Sequence, residues 1–366
     1  MVTNKIIEED LKYIFNNLNN KQKKFFENSN ILITGCGGFL GFYFLNFFLK
    51  FRDDFNIRSI IAFDNFIVGK PYWFDSIVNS NENFLSIINF DIANDNIESI
   101  AGAESADIII HMASIASPTF YRKYPIETLD ANVWGVRKLL DFYIDKPIKG
   151  LLFFSSSEVY GDPVPEYIPT DEEYRGNVAI IGPRACYDEA KRFGETLCYL
   201  YSLKYNAPVR IARPFNNYGP GMKLGDRRVP ADFAKSILEE KDIYIYSDGT
   251  PTRTFCYIAD AITGYLKVIS HDNFDYFNIG IDKPEISIRE LSEIYLKNAE
   301  IIFGKKLNAI FTKPPDDNYM IHNPNRRCPN IDKARSMIDY SPIIHVEEGV
   351  YKFLEFLKYE KEDGLI

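Results

Sequence analysis

The sequence predicts an α/β protein with a doubly wound parallel sheet and a smaller C-terminal α/β lobe. Three observations carry that prediction. Short apolar runs of strand length alternate with helical patterns along much of the chain, as in a parallel sheet covered on both faces. Each run ends in polar or small residues, where ligands of such sheets bind. A glycine-rich segment, TGCGGFLG, joins the first run to a long apolar helix.

The elements follow in order. In residues 1–29, Ile7, Leu11, Ile14, Phe15 and Leu18 recur at helical spacing among charges. This helical extension is expected to pack on the main body or on a second subunit. NILITG (30–35) is the first strand, and Phe39 to Lys50 the helix after it. SIIAFDN (59–65), LSIINFD (85–91), DIIIHMAS (107–114) and GLLFFSSSE (150–158) are the next four strands, with a helix over Ile126 to Tyr143. APVRIARPFN (207–216) is a sixth strand, after a helix carrying Tyr187. Past Pro214 the pattern changes. Gly, Pro, Arg and Asp cluster in the loop NNYGPGMKLGDRRVP (216–230), and helix and short-strand signals run to the end. The division predicted is a helical extension at 1–29 and a Rossmann-type NAD-binding domain at 30–213. Residues 214–366 form mainly a substrate lobe, with segments returning to the first domain.

Composition narrows the function. The chain has 366 residues, 46% hydrophobic and 25% charged, ordinary for a globular protein. Its 15% aromatic content accompanies abundant Ile, Asn and Lys and reads partly as compositional drift. A net charge of −9 argues against a nucleic-acid surface. Cys36, Cys186, Cys198, Cys256 and Cys328 lack CxxC or CxH spacing, so free thiols in a reducing compartment are expected, with no metal site. The acidic N-terminus is no signal peptide, and the run Phe39 to Leu49 is too short to cross a bilayer. A soluble cytoplasmic protein without nucleic-acid or membrane partners is the expectation.

Gly35, Gly38 and Gly41 form G-x-x-G-x-x-G between a strand and a helix. Such a turn lets backbone approach a pyrophosphate, and the helix N-terminus favours its charge. Asp64 ends the second strand about twenty residues on, where an acid bonds the adenine ribose and repels a 2′-phosphate. The expected cofactor is therefore NAD. Phe39 and Leu40 within the turn, Asn65 beside Asp64, and Ala113 at the fourth strand's end count as cofactor contacts. Asp91 and Ile92 are placed to edge the adenine, although Asp91 reads equally as a loop acid.

Tyr187 and Lys191 lie four residues apart in RACYDEAKRFGETL, about one helical turn, so both project from one face. A neighbouring ammonium favours a phenolate, a base for a sugar hydroxyl. Ser155, Ser156, Ser157 and Glu158 end the fifth strand. A hydroxyl there bonds the reacting oxygen and the tyrosine, or merely caps the strand. Tyr121, Asn132 and Arg228 are secondary candidates, Arg228 in the loop expected to cover the nucleotide. Asn132 fits an exposed helix position equally well. His111 and Cys186 read as structural.

This assembly resembles the extended short-chain dehydrogenase/reductase family, the NAD-dependent sugar-nucleotide epimerases and dehydratases, from about Asn30 to about Lys358. Within that family it is most similar to the UDP-glucuronate decarboxylases. The segments concerned are DNFIVGK (64–70), HMASIASP (111–118), SSSEVYGDP (155–163), GPRACYDEAKR (182–192), RPFNNYGPGM (213–222), SDGTPTRTFCYIADA (247–261) and NRRCPNIDKA (325–334). The resemblance implies that Tyr187 is the base and Lys191 its partner on the nicotinamide ribose. Ser156 is then the hydroxyl beside Tyr187, where the decarboxylases usually carry threonine. Glu158 is the acid near sugar carbon 5, and Arg253 the arginine near the reactive end or the phosphates. Asn216 and Arg327 are diphosphate and nucleotide contacts. Ser117, Tyr121, Ser157 and Arg228 complete the expected UDP-sugar site. A homodimer through the 126–144 and 185–204 helices is also implied.

The chemistry expected is oxidation at sugar carbon 4, loss of CO2 from carbon 5, and reduction of the ketone, with NAD regenerated. A 4,6-dehydratase usually places an Asp-Glu pair after the strand-end hydroxyl, where this chain has Ser157-Glu158; serine is a poor acid near neutral pH. A 4-epimerase is not excluded, although Glu158 has less to do in one. A catalytically silent nucleotide-binding subunit has no chemical need for Ser156, Tyr187 and Lys191.

Overall fold

The computed structural model describes residues 4–81, 83–313 and 324–366, and every candidate site residue lies among them. The central sheet has seven parallel strands. In chain order they include β1 (Asn30–Thr34), β2 (Ser59–Asp64), β3 (Leu85–Asn89), β4 (Ile108–His111), β5 (Gly150–Phe154) and β6 (Val209–Pro214). The spatial order is the strand Asp275–Ile279, then β6, β5, β4, β1, β2 and β3. The chain leaves β1 for β2 on one side and β4 on the other. That reversal opens a crevice at the strands' C-terminal ends.

Successive side chains of β1 point to opposite faces. Ile31 and Ile33 join the core that contains Phe42, Phe48 and Ile262. Leu32 joins the core that contains Val136, Leu140 and Leu197. The helix α3 (Phe39–Lys50) and the helix Ile258–Ile269 therefore cover one face. Val136–Tyr143 and Ala185–Tyr205 cover the other. The strand Asp275–Ile279 pairs with β6 in parallel, so residues beyond Pro214 do return to the sheet. A smaller group of elements contributes three short paired strands, including Thr252–Arg253 and Arg326–Arg327.

The N-terminal extension settles against the main body. Its helices are α1 (Lys5–Asn16) and α2 (Asn20–Phe26). All residues from Gly41 to Leu49 of α3 are buried, and a helix apolar all round needs cover on every side. The extension supplies it: Phe15 stacks on Phe51 at 4.2 Å between ring centroids, and Phe26 meets Phe48 at 5.7 Å. Asp10, fully buried, anchors the packing. It accepts hydrogen bonds from Tyr43 (2.7 Å), Tyr257 (2.6 Å) and Lys352 (2.6 Å).

Two elements depart from the sequence pattern. The helix expected over Ile126 to Tyr143 is three pieces: Pro125–Asp130, a π-helical turn Ala131–Gly135, and Val136–Tyr143. Buried Ile92 fills the space at Gly135, where an added Cβ would lie 2.8 Å from it. The fifth strand stops at Phe154, and Ser157–Tyr160 turns into a 3-10 helix, because the Ser156 hydroxyl accepts the Glu158 N–H at 3.2 Å.

Candidate active site

The glycine turn forms as the motif requires. Gly35 has φ of +75°, and an added Cβ would lie 2.7 Å from the Ala113 nitrogen. Only glycine lets β1 and β4 approach this closely. At Gly41 an added Cβ would sit 2.1 Å from the Cys36 carbonyl oxygen. Gly38 is the N-cap of α3 and supplies no side-chain hydrogen bond. The first-turn N–H groups of this twelve-residue helix are thus left for an anion. Asp64 accepts the Gly37 N–H at 2.8 Å and the Phe66 N–H at 2.7 Å, and burial pushes its carboxyl up. It therefore braces the turn as well as closing β2. Asn65 donates to Asp91 at 3.4 Å. Asp91 also accepts the N–H of Ala93 and of Asn94, within its own loop.

A cavity of about 400 Å³ opens beside the turn. Gly35, Gly38, Phe39 and Leu40 line one end. Ser117, Tyr121, Ser156, Ser157, Glu158, Tyr187 and Lys191 line the middle. Asn216, Arg228, Arg253 and Arg327 line it from the later part of the chain. Gly41, Asp64, Asn65, Asp91, Ile92 and Ala113 are not in this lining; Gly41 is packed beneath the turn.

Each of the three serines has its own place. Ser155 also lines the cavity, but its hydroxyl is engaged by Glu195, which is bridged in turn to Arg213. The Ser156 hydroxyl lies beside the Tyr187 phenol and favours its ionised form. Ser157 is buried in the cavity wall.

Protonation differs from the expectation that Lys191 holds Tyr187 ionised. Burial pushes the phenol up to about 12, with Ser156 opposing. Lys191 donates to the Phe154 carbonyl at 2.6 Å, and burial brings it down to about 7. A buried ammonium that is losing its own proton gives a weak field at the phenol. The Tyr121 ring stacks on Tyr187 at 5.3 Å and 15°. Its hydroxyl is buried without a hydrogen-bond partner among the described residues.

Glu158 is the electrostatic centre. Burial works against its charge, but Arg184 and Arg327 hold it at about 2. Arg327 makes two parallel bonds of 2.6 Å to it, the fork geometry guanidinium favours, and Arg184 bonds the same carboxylate. Arg253 is buried nearby and donates to the carbonyls of Thr252 and Asn325. Burial and the charge of Arg327 bring it down to about 9. Asn216, at φ of +43°, donates to the Thr254 carbonyl at 3.0 Å. Arg228 is gripped by Asp226 at 2.6 and 2.9 Å. Ser117 donates to the Asp226 carbonyl at 2.6 Å, fastening the 216–230 loop over the cavity.

Asn132 and His111 are buried. Asn132 donates to the Thr128 carbonyl at 2.7 Å within the π-helical stretch, so it is no exposed helix residue. His111 pairs with Thr34 at 2.7 Å, and burial brings its imidazole down to about 3. Cys186 sits 3.6 Å from the Tyr121 carbonyl, its thiol pushed up by burial. Sequence reasoning missed Arg184 and Asp188. Both stand inside GPRACYDEAKR, so the signal was present without a role attached.

A family model described as "NAD dependent epimerase/dehydratase family" matches residues 31–280. The chain belongs to that family. It is 34% identical to UDP-glucuronic acid decarboxylase 1 of Xenopus tropicalis over 92% of this chain and 74% of that one. It is 32% identical to UDP-glucuronic acid decarboxylase 6 of Arabidopsis thaliana over 90% of this chain and 89% of that one. Among solved structures, UDP-glucuronic acid 4-epimerase from Bacillus cereus, in complex with UDP-glucuronic acid and NAD, superposes with a TM-score of 0.73. That match has 25% identity and covers 90% of this chain and 99% of the other. The family's NAD site agrees with the turn seen here, since a capless helix start faces the cavity and a carboxylate ends β2.

Proposed function

We propose that this chain decarboxylates UDP-glucuronate to UDP-xylose through a 4-keto sugar. The observation that carries the reading is Glu158, ionised, fixed by two arginines and lining the cavity that holds Tyr187. A carboxylate held at about 2 cannot protonate a departing hydroxyl at neutral pH. Loss of water from carbon 6 therefore lacks its acid. Loss of CO2 needs none. The curated relatives carry names that agree with this choice.

In this reading Gly35, Gly38, Phe39 and Leu40 hold the NAD pyrophosphate, with Gly41 and Ala113 shaping the turn. Asp64, Asn65, Asp91 and Ile92 serve the adenosine end. Bound NAD supplies reversible two-electron oxidation at sugar carbon 4, and its positive ring favours the Tyr187 phenolate. Tyr187 then takes the proton of the 4-hydroxyl, with Ser156 bonded to both oxygens. Lys191, fixed by the Phe154 carbonyl, orients the ribose. The new ketone is β to the carboxylate, so the carbon 5–carboxylate bond breaks and its electron pair moves onto the ketone oxygen. Carbon 5 takes a proton, and the ketone is reduced again. Arg228 and Asn216 are the proposed contacts to the diphosphate and nucleotide, and Arg253 to the reactive end or the phosphates, with Ser117, Tyr121 and Ser157 around the sugar; Arg327, expected at the nucleotide, is instead engaged by Glu158.

We also read the chain as a cytoplasmic homodimer. Ile126, Trp134, Phe193, Leu200 and Leu203 are exposed on the two helical regions concerned, an apolar surface that a second copy would cover. The five cysteines are free, which suits a reducing compartment. The test is incubation with UDP-glucuronate and NAD followed by mass analysis. Loss of the mass of CO2 is expected. Loss of the mass of water, or an unchanged mass with inverted carbon 4, would assign a dehydratase or an epimerase instead.

A further inference from the structure

Arg184 is buried in the cavity wall and has no part in the steps above. Its carbonyl accepts the N–H of Tyr187 at 2.9 Å and of Asp188 at 3.0 Å, so its backbone starts the helix that carries the base. Its guanidinium bonds Glu158 and lies 3.5 Å from Asp188. It also faces the Tyr121 ring at 5.9 Å, and that ring stacks on Tyr187. Glu158 thus has two anchors of different origin. Arg327 reaches it from the short strand Arg326–Arg327. Arg184 joins it to the helix of Tyr187.

We propose that Arg184 is a positioning residue for the carbon–carbon cleavage step, acting through Glu158 to keep a fixed carboxylate facing the sugar's own carboxylate. The proposal rests on the decarboxylase reading and deepens it. In that step the bond from carbon 5 to the carboxyl carbon breaks, its pair forms the carbon 4–carbon 5 double bond, and the ketone oxygen takes the negative charge. Neutral CO2 leaves, and a proton from water restores carbon 5. The carboxylate's charge disappears as the bond breaks. A cation paired with it would stabilise the reactant and slow the step, whereas a nearby anion has the opposite effect. Here Arg184 and Arg327 direct their charge to Glu158, leaving Glu158 as the group that meets the substrate's carboxylate. Without Arg184, Glu158 follows the Arg326–Arg327 strand alone and loses its register with Tyr187. Arg253 lines the same cavity and donates to the Thr252 and Asn325 carbonyls.

The test is single-turnover kinetics of full-length Arg184→Gln and Arg184→Lys with UDP-glucuronate and NAD. Two signals are followed: absorbance of the reduced nicotinamide for oxidation at carbon 4, and release of CO2. In Arg184→Gln the reduced nicotinamide should form at close to the wild-type rate and persist. CO2 release should fall about ten- to a hundredfold, and KM should stay within about threefold. Arg184→Lys, which keeps the cation but not the fork that reaches both Glu158 and Asp188, should recover part of the CO2 release and still slow it more than oxidation. Equal slowing of both signals, or unchanged CO2 release, overturns the proposal. If Arg184→Gln does not fold, Arg184→Lys decides alone: it must slow CO2 release more than oxidation. A wild-type protein that oxidises the sugar but releases no CO2 removes the decarboxylase reading itself, a result distinct from either variant's failure.

Discussion

Replacing Glu158 by glutamine tests the buried charge cluster directly. The side chain keeps its size but can no longer balance Arg184 and Arg327, whose side chains are 10% and 9% exposed. Removing one partner of a buried ion pair costs roughly 3–5 kcal/mol. A second route gives a similar figure. The carboxyl is held at about 2 against an ordinary 4.5, and that difference converts to about 3 kcal/mol. The folded pKa lies below the unfolded one, so this stability is present above 4.5 and lost as pH falls through about 2. Asp188 behaves in the opposite sense. Burial and the Glu158 charge push it up to about 7 from 3.8, so its contribution is present below 3.8 and lost as pH rises through about 7. In the variant, Asp188 is relieved of its neighbour and ionises against Arg184, recovering part of the loss. With an unfolding entropy of about 0.8 kcal/mol/K for a chain of this length, Tm should fall by about 3–6 °C near neutral pH. Differential scanning calorimetry across a pH series is the assay. The deficit should shrink as the buffer is made acidic. An unchanged Tm near neutrality, or a deficit that grows with acidity, would refute the assignment of Glu158 as an ionised, doubly anchored group.

Tyr187→Phe should abolish turnover while NAD stays bound, as read by calorimetric titration; retained activity removes the proposed base. Gly41→Ala drives a methyl into the Cys36 carbonyl and should destabilise the fold by about 1–3 kcal/mol and weaken NAD binding; a wild-type Tm would show that the turn relaxes. Asp10→Ala leaves the part-buried Lys352 beside two buried, unpaired phenols and should cost roughly 3–5 kcal/mol, measured by denaturant unfolding. A loss below about 1 kcal/mol would show that the extension is peripheral to stability.

The sheet was legible because each strand announces itself locally. β1, β2, β4 and β5 are mostly runs of Ile, Leu and Phe closed by polar residues, and continuous apolar runs fit strands buried on both faces; β6, VRIARP, carries two arginines and reads less plainly. Gly35, Gly38 and Gly41 were legible for the same reason, since a turn's sterics depend on neighbours in the chain. Tyr187 and Lys191 share a helix face by spacing alone. The π-helical turn at Ala131–Gly135 leaves no mark in the apolar spacing, and its contact with Ile92 at Gly135 joins residues distant in sequence.

The amino-acid sequence by itself determined the parallel sheet, the nucleotide-binding turn and the tyrosine–lysine pair, all products of short-range spacing and backbone sterics. Only the tertiary structure decided that Glu158 meets Arg327 across 169 residues, that Arg184 completes the cluster, and that the N-terminal helices cover the buried, largely apolar α3. It also decided that burial pushes the Tyr187 phenol up despite the lysine one turn away. Ion pairing and desolvation depend on which groups the folded chain brings together and how much water it removes, and neither quantity is carried by local spacing.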